Sequence, residues 1–515
     1  MRRQERSTAL TTSLWSRLQQ LQPHDADRVD SVSAMETTRP LELSALRSVS
    51  PPRVVPPRAG AAPDRAVMRR IVAAASDELT ALLRERAGER ETPMPHGEEE
   101  IRRLGRDIIA RLVEDEIRTE INDGEQTVTG DQREALAKSV EDYMFGLGPI
   151  QSLVDEPEVT DIVINGSHVR VLFPDGRFEA RPPIADSDQE IIEWLVTVAQ
   201  RAPGGGRPFS PVSPHLRLDL PGHIRLSAMA WTVPHPNIAI RLHRLTNVCL
   251  DDLVHRRMLP QPLARLLSAA ANGGVSQVVS GPMGAGKTTL LRALANALPV
   301  ETRIGTAETE RELYLDELPG RAPYVVSGET ITGGGERNDL TGELRGAIGL
   351  TDLLYAFVRM QLEVVIVGEV AGKEILSMFK AMQFTPSSMS SVHATDARAA
   401  IHRLATIARE VPGITVEYAT AQVAHHIDLI VQLERRTLRD ARGEIIGMRR
   451  FVREVIYVEP GESDLSPAVT TVYLGNTDGT GRFGSVPTAL RTALLEGGMR
   501  EHEIPVATLD FAEAL

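Results

Sequence analysis

Residues Gly281-Pro282-Met283-Gly284-Ala285-Gly286-Lys287-Thr288 follow the spacing G-x-x-x-x-G-K-[ST]. Those residue types can grip phosphate. Glycines let the backbone curl until successive N–H groups converge on anionic oxygens. A helix starting near Lys287 adds its positive end, and the lysine adds a point charge. The Thr288 hydroxyl suits magnesium that also bridges the outer phosphates of ATP, and Thr289 completes the segment. A plain glycine-rich turn would not require Lys-Thr after Gly286.

Carboxylates at strand ends could complete the chemistry. Val364-Val365-Ile366-Val367-Gly368-Glu369 is a β-branched run that ends in an acid. Ligands of open parallel sheets sit at that edge. There Glu369 could orient or deprotonate an attacking water, the alternative being a solvated acid after a core strand. Arg303 to Ala307 leads likewise into Glu308-Thr309-Glu310-Arg311-Glu312, where Glu308 and Glu312 are candidates for magnesium or water. A merely solvated charged loop is the other possibility.

These groups need elements to hold them. Val275 to Ser280 reads as a buried strand before the glycine loop. Leu290, Leu294 and Leu298 then recur on one helix face until Pro299. Strands and helices alternate from 261 to 458, as in a parallel sheet covered on both faces. The expected fold class is α/β, a phosphate-loop domain built on a parallel-rich sheet. Before it, residues 146–245 read as a smaller α+β domain with strands at 159–165, 169–173, 215–220, 223–231 and 237–243 and a helix at 188–200. Residues 246–260 form a linker. Residues 66–145 read as a helical extension, with helices at 66–95, 99–122 and 131–145. Residues 1–65, rich in Arg, Pro and Ser, read as a disordered tail that could carry a short helix at Leu14 to Leu21. Strands Ile427 to Leu433 and Phe451 to Val458 flank a charged hairpin at 435–442. Residues 459–515, rich in glycine and acids, are expected to be a tail with a short helix near 487–496 and no assigned role.

A chain of 515 residues needs two or three domains. Its net charge of -13 argues against nucleic acid as a direct partner. The one cysteine, Cys249, reads as a buried small hydrophobe, and no zinc spacing is present. No stretch reaches 18 apolar residues, and no apolar run follows the early arginines. These features predict a cytoplasmic protein that meets the membrane through partners.

Taken in order, the phosphate loop, the Glu308–Glu312 acids, Val367-Gly368-Glu369 and Ser391-Val392-His393-Ala394-Thr395 resemble the hallmarks of type II/type IV secretion ATPases. The branch they most resemble is the Tad/Flp pilus-assembly motors. Upstream, Phe145 to Ile150 and Val159 to Gly166 are similar to the opening of that family's N-terminal domain, and Ile427 to Leu433 also matches. The resemblance runs from about 145 to 457. It implies an N-terminal domain joined by a linker to a RecA-like ATPase domain, with ATP and magnesium held between the two. It also implies a homo-oligomer, typically a hexameric ring, which acts on a polytopic inner-membrane platform protein. Arginines that reach the outer phosphates in the family match Arg225 and Arg241, Arg217 less well, and Arg359 before the Glu369 strand. His393 matches a γ-phosphate sensor, although a plain loop histidine would have the same sequence.

The chain departs from the family pattern in four places. Ala371 stands where the family has arginine after its acidic strand. Gln383 to Ser388 replaces a Thr-Gly-His-Asp-Gly segment. Tyr355 to Glu363 diverges, and Glu308-Thr309 replaces Glu-Asp. Three readings follow: a motor for a pilus or secretion system, an ATP-binding assembly or regulatory subunit with little turnover, and the motor of a conjugation-type secretion machine.

Overall fold

A computed structural model describes residues 65–88, 98–122, 129–202, 207–331, 346–385, 387–463 and 466–509. The sequence expectation for residues 1–64 lies outside these. The described chain opens with helices α1 (Arg65–Gly88), α2 (Glu98–Asn122) and α3 (Gly130–Phe145). Their stripes meet in one core of Ile71, Ala75, Leu79, Ile109, Val113 and Val140. The Thr129 side chain accepts from Gln132 N–H while the Gln132 side chain returns to Thr129, a reciprocal cap that starts α3.

A short turn α4 (Gln151–Val154) leads into an antiparallel sheet. Its strands are β1 (Asp161–Asn165), β2 (His168–Leu172), β3 (Phe178–Arg181), β4 (His215–Leu220), β5 (Ile224–Met229) and β6 (Asn237–Leu242), with α5 (Asp188–Arg201) between β3 and β4. The spatial order is β3-β2-β1-β6-β5-β4. Ile162, Ile164, Leu216, Leu226 and Ile240 share one core with Ile191, Trp194 and Leu195 of α5. Because alternate residues face opposite ways, the other face carries polar groups. One cross-strand row on it reads Asp219, Arg225, Arg241, Asp161.

Helices α6 (Leu250–His255) and α7 (Gln261–Asn272) cross to the second sheet. There follow β7 (Gln277–Ser280), α8 (Lys287–Asn296), β8 (Ile304–Glu308), β9 (Val325–Glu329), α9 (Leu350–Phe357), β10 (Val364–Val367), α10 (Glu374–Met382), β11 (Ser387–Val392), α11 (Ala397–Arg409) and α12 (Val416–His426). The chain then runs through β12 (Leu429–Arg439), β13 (Ile445–Ser463), β14 (Ser466–Gly475), β15 (Gly481–Phe483) and α13 (Thr488–Glu496). The nine strands lie in the order β15-β14-β13-β12-β7-β11-β10-β8-β9. The six from β12 to β9 are parallel neighbours, with the strand of the glycine loop between β12 and β11. Every residue of β7, β8, β10 and β11 is buried, because one core lies on each face of the sheet.

Two expectations need correction. Residues 459–509 are not a tail: β13 runs past Val458, β14 and β15 extend the same sheet, and the helix expected near 487–496 is present as α13, which buries Leu490 and Leu494 in the core that holds α7. Glu459, Gly461 and Glu462 lie inside β13, Gly475 ends β14 and Gly481 opens β15, and such residues break the apolar pattern that marks a strand. Cys249 is exposed, not buried. It sits at the start of α6, where Asp252 accepts from its backbone N–H at 2.9 Å and its thiol at 3.1 Å.

Candidate nucleotide-binding site

The glycine loop joins the end of β7 to the start of α8. Gly284 has φ +71° and Gly286 has φ +96°, in the left-handed region that a side chain strains. Gly286 occupies the N-cap, so no side chain satisfies the first N–H groups of α8. Gly281 and Ala285 are buried beneath, while Pro282, Met283 and Gly284 face solvent. Thr289 lies half-buried on the first helical turn.

Lys287 is buried, with 8% of its surface exposed. Its Nζ lies 3.3 Å from the Gly281 carbonyl and 3.1 Å from His393 Nδ1. Burial lowers its pKa, and the more distant Glu369 and Glu312 offset part of that. His393 follows β11, and its Nε2 stands 3.3 Å from Glu369 Oε1. Glu369 follows β10 and is half-exposed. Parallel pairing of β7, β11 and β10 therefore sets Lys287, His393 and Glu369 in one line along the C-terminal edge of the sheet.

A second line runs toward the N-terminal sheet. The Thr288 hydroxyl donates to Glu312 Oε2 at 2.9 Å, and the other Glu312 oxygen accepts from Arg225. Arg225 also pairs with Glu310, which stands 3.7 Å from Arg217. Glu308 has a different task. It is buried, and its Oε1 accepts the backbone N–H groups of Glu312 and Leu313, each at 3.0 Å. Burial pushes its pKa up to about 7, against the pull of those two N–H bonds.

Of the arginines expected near phosphate, Arg225 and Arg217 reach the acids after β8. Arg241 donates to Asp161 at 2.9 Å one strand away. Arg359 is exposed just before β10, at the sheet edge opposite the glycine loop, so within one chain it is not brought to the site.

Sequence reasoning missed two supporting residues. Buried Arg292 donates to the Leu313 carbonyl at 2.9 Å and to the Glu312 carbonyl, bracing the acidic loop. Gln432 sends its amide to the carbonyls of Ala394 and Thr395 at 3.4 and 3.2 Å, fixing the turn after His393. The available signal for Gln432 was a lone amide inside the apolar run Ile430-Val431-Gln432-Leu433.

An open helix start, a buried ammonium bonded to a carbonyl and an imidazole, and a hydroxyl set against a carboxylate fit a phosphate group with a hard cation. Thr288 and Glu312 would hold magnesium. Among the described residues no group of three or more acidic, histidine or cysteine side chains could hold a metal.

Comparison with known proteins gives consistent matches. Residues 191–463 match the family described as type II/IV secretion system protein. The type IV secretion system protein PtlH of Bordetella pertussis is 31% identical over 184 residues, 35% of this chain and 51% of PtlH. The chain thus spans about half the length of that relative. VirB11 of Agrobacterium fabrum is 23% identical over 319 residues, 55% of this chain and 87% of VirB11. The solved VirB11 ATPase of Brucella suis aligns with 62% of this chain and 98% of its own, at 21% identity and a TM-score of 0.30.

Proposed function

Because the chain belongs to the family of type II/IV secretion system proteins, we propose that it is an ATP-hydrolysing motor for such an apparatus, in particular for assembly of a Tad/type IV-like pilus. The observation that carries this reading is the convergence of Lys287, His393 and Glu369 on one side of the glycine loop and Thr288, Glu312 and Arg225 on the other. When bound, magnesium ATP supplies a transferable phosphoryl group and a Lewis acid on its oxygens.

The chain's own groups then have separable tasks. The backbone N–H groups from Gly284 to Thr289 and the Lys287 ammonium hold phosphate. Thr288 and Glu312 take the cation. Glu369 orients the attacking water and accepts its proton. His393, hydrogen-bonded to Lys287 and facing Glu369, senses whether the outermost phosphate is present. Arg225 exchanges Glu310 and Glu312 for phosphate charge, so that nucleotide state shifts the N-terminal sheet against the phosphate-loop domain. Arg241 and Arg217 follow on the same face.

Arg359 has a place in this scheme across a subunit boundary. Exposed Tyr355, Val358 and Met360 surround it in sequence, a surface suited to a second copy. A homo-hexamer would bring it to a neighbour's nucleotide. No helix among the described residues is long and apolar enough to cross a membrane. In this reading the ring works in the cytoplasm, at the inner face of the membrane, against a polytopic platform protein.

One observation favours a slower enzyme. The Glu374 carboxylate accepts the N–H groups of Ala371 and Gly372, both at 2.7 Å, so the position that departs from the family is locked by backbone capping and adds no cation. That would suit an ATP-binding assembly subunit. Steady-state phosphate release tests the motor reading. Release that saturates with ATP and vanishes in Lys287→Ala supports it, whereas ATP binding without turnover leaves the assembly role. Native mass measurement with and without nucleotide tests the ring.

A further inference from the structure

The hairpin formed by β12 and β13 holds an unusual pair. Arg435 and Arg450 are directly opposite each other in the ladder, and like charges so placed destabilise a hairpin. The nearest acids are engaged by other arginines. Glu434 pairs with Arg436 at 2.6 Å and faces Arg453 at 3.7 Å, and Asp161 accepts from Arg241. Arg450 donates to two carbonyls, Gly284 at 2.8 Å and Pro174 at 2.9 Å. The Arg435 guanidinium presses on the same glycine: a Cβ at Gly284 would sit 2.8 Å from its Nη1. Two residues earlier on the same strand face, Leu433 packs equally closely against Gly281.

Two guanidinium groups, neither in an ion pair among the described residues, thus lie against the exposed rim of a phosphate loop. Burial lowers the Arg450 pKa and the charge of Arg435 lowers it further, while Asp161 offsets part of this. A planar fork of donors suits phosphate oxygens.

We infer that Arg435 and Arg450 form an anion-binding pair that contacts the phosphate groups of the nucleotide held by the glycine loop. The inference rests on the nucleotide reading given above. It adds the β12–β13 hairpin to the elements that sense nucleotide. Arg450 also ties that loop to the β2–β3 turn of the N-terminal sheet through Pro174. Arg435 is the cleaner residue to change, because it holds no carbonyl in place.

The test compares the full-length wild type with Arg435→Gln and Arg435→Lys. Three quantities are read: the melting midpoint without ligand, the midpoint shift caused by inorganic pyrophosphate, and the affinity for a fluorescent ATP analogue. Arg435→Gln should melt no lower than wild type, since a repulsion is removed. It should bind the analogue about tenfold more weakly or worse, and its pyrophosphate shift should shrink. Arg435→Lys should recover part of both. Wild-type affinity and an unchanged pyrophosphate shift in Arg435→Gln overturn the inference, and so does a lower unliganded midpoint with both ligand responses intact. If wild type ignores ATP yet gains an Arg435-dependent pyrophosphate shift, the anion pair stands and the nucleotide reading falls. If it responds to neither, both fall.

Discussion

The Thr288 hydroxyl and the Glu312 carboxylate are hydrogen-bonded at 2.9 Å, and the second oxygen of that carboxylate is held by Arg225 from the N-terminal sheet. One carboxylate therefore joins the first turn of α8 to the neighbouring domain. The hydroxyl and the carboxylate are also the hard oxygen ligands that a magnesium ion would use. Binding a cation here competes with the interdomain contact.

Glu312→Gln should raise the magnesium concentration needed for half-maximal ATP binding by about tenfold, since a neutral amide is a poorer ligand for a hard cation. Magnesium-free ADP binding should change much less. Isothermal titration across a magnesium series reads both. An unchanged magnesium requirement would remove Glu312 from the cation site.

Lys287→Met should abolish ATP-dependent stabilisation without lowering the melting midpoint of the free protein. The ammonium is buried beside a carbonyl and an imidazole, and the charges of Glu369 and Glu312 offset only part of its desolvation, so losing its charge relieves a cost. Thermal melts with and without ATP check this. A large drop in the free protein would mean that Lys287 is a structural residue.

Glu308 should make stability depend on pH. Its folded pKa of about 7 lies above the ordinary 4.5, so the folded protein holds a proton that the unfolded chain releases between those values. Its contribution is full below about pH 4.5 and is lost as pH rises through 7, by on the order of 3 kcal/mol. His243 works in the opposite direction. Burial depresses it from 6.5 to about 4, so its contribution is present above 6.5 and lost as pH falls toward 4. The comparison that isolates Glu308 is the difference between wild type and Glu308→Gln. Wild type should lose ground against the variant from pH 5 to 8, and parallel profiles would contradict the assignment.

The parts legible in sequence were those set by local rules. Glycine spacing fixed the loop, and the β-branched runs of β10 and β7 located the buried strands that carry it. Glu369 could be placed because an acid directly after such a strand falls at the sheet edge. What could not be read depends on distant partners. Glu308 and Glu312 are four residues apart in one acidic run, yet one is buried to clamp its own loop and the other spans two domains. Arg225 and Arg241 are cross-strand neighbours, yet only Arg225 meets those acids. The extension of the sheet beyond Val458 is hard to read because glycines and acids such as Gly461, Glu462 and Gly481 sit within its strands. Cys249 was misjudged because its residue type favours burial, while a helix start placed it at the surface.

Steady-state phosphate release, compared between wild type and Glu369→Gln at ATP concentrations that saturate both, tests the central claim most directly. If Glu369 activates water at a site gripped by Lys287 and Thr288, the variant should bind ATP as tightly as wild type and release phosphate at least about 100-fold more slowly. Equal release rates at equal occupancy would contradict it.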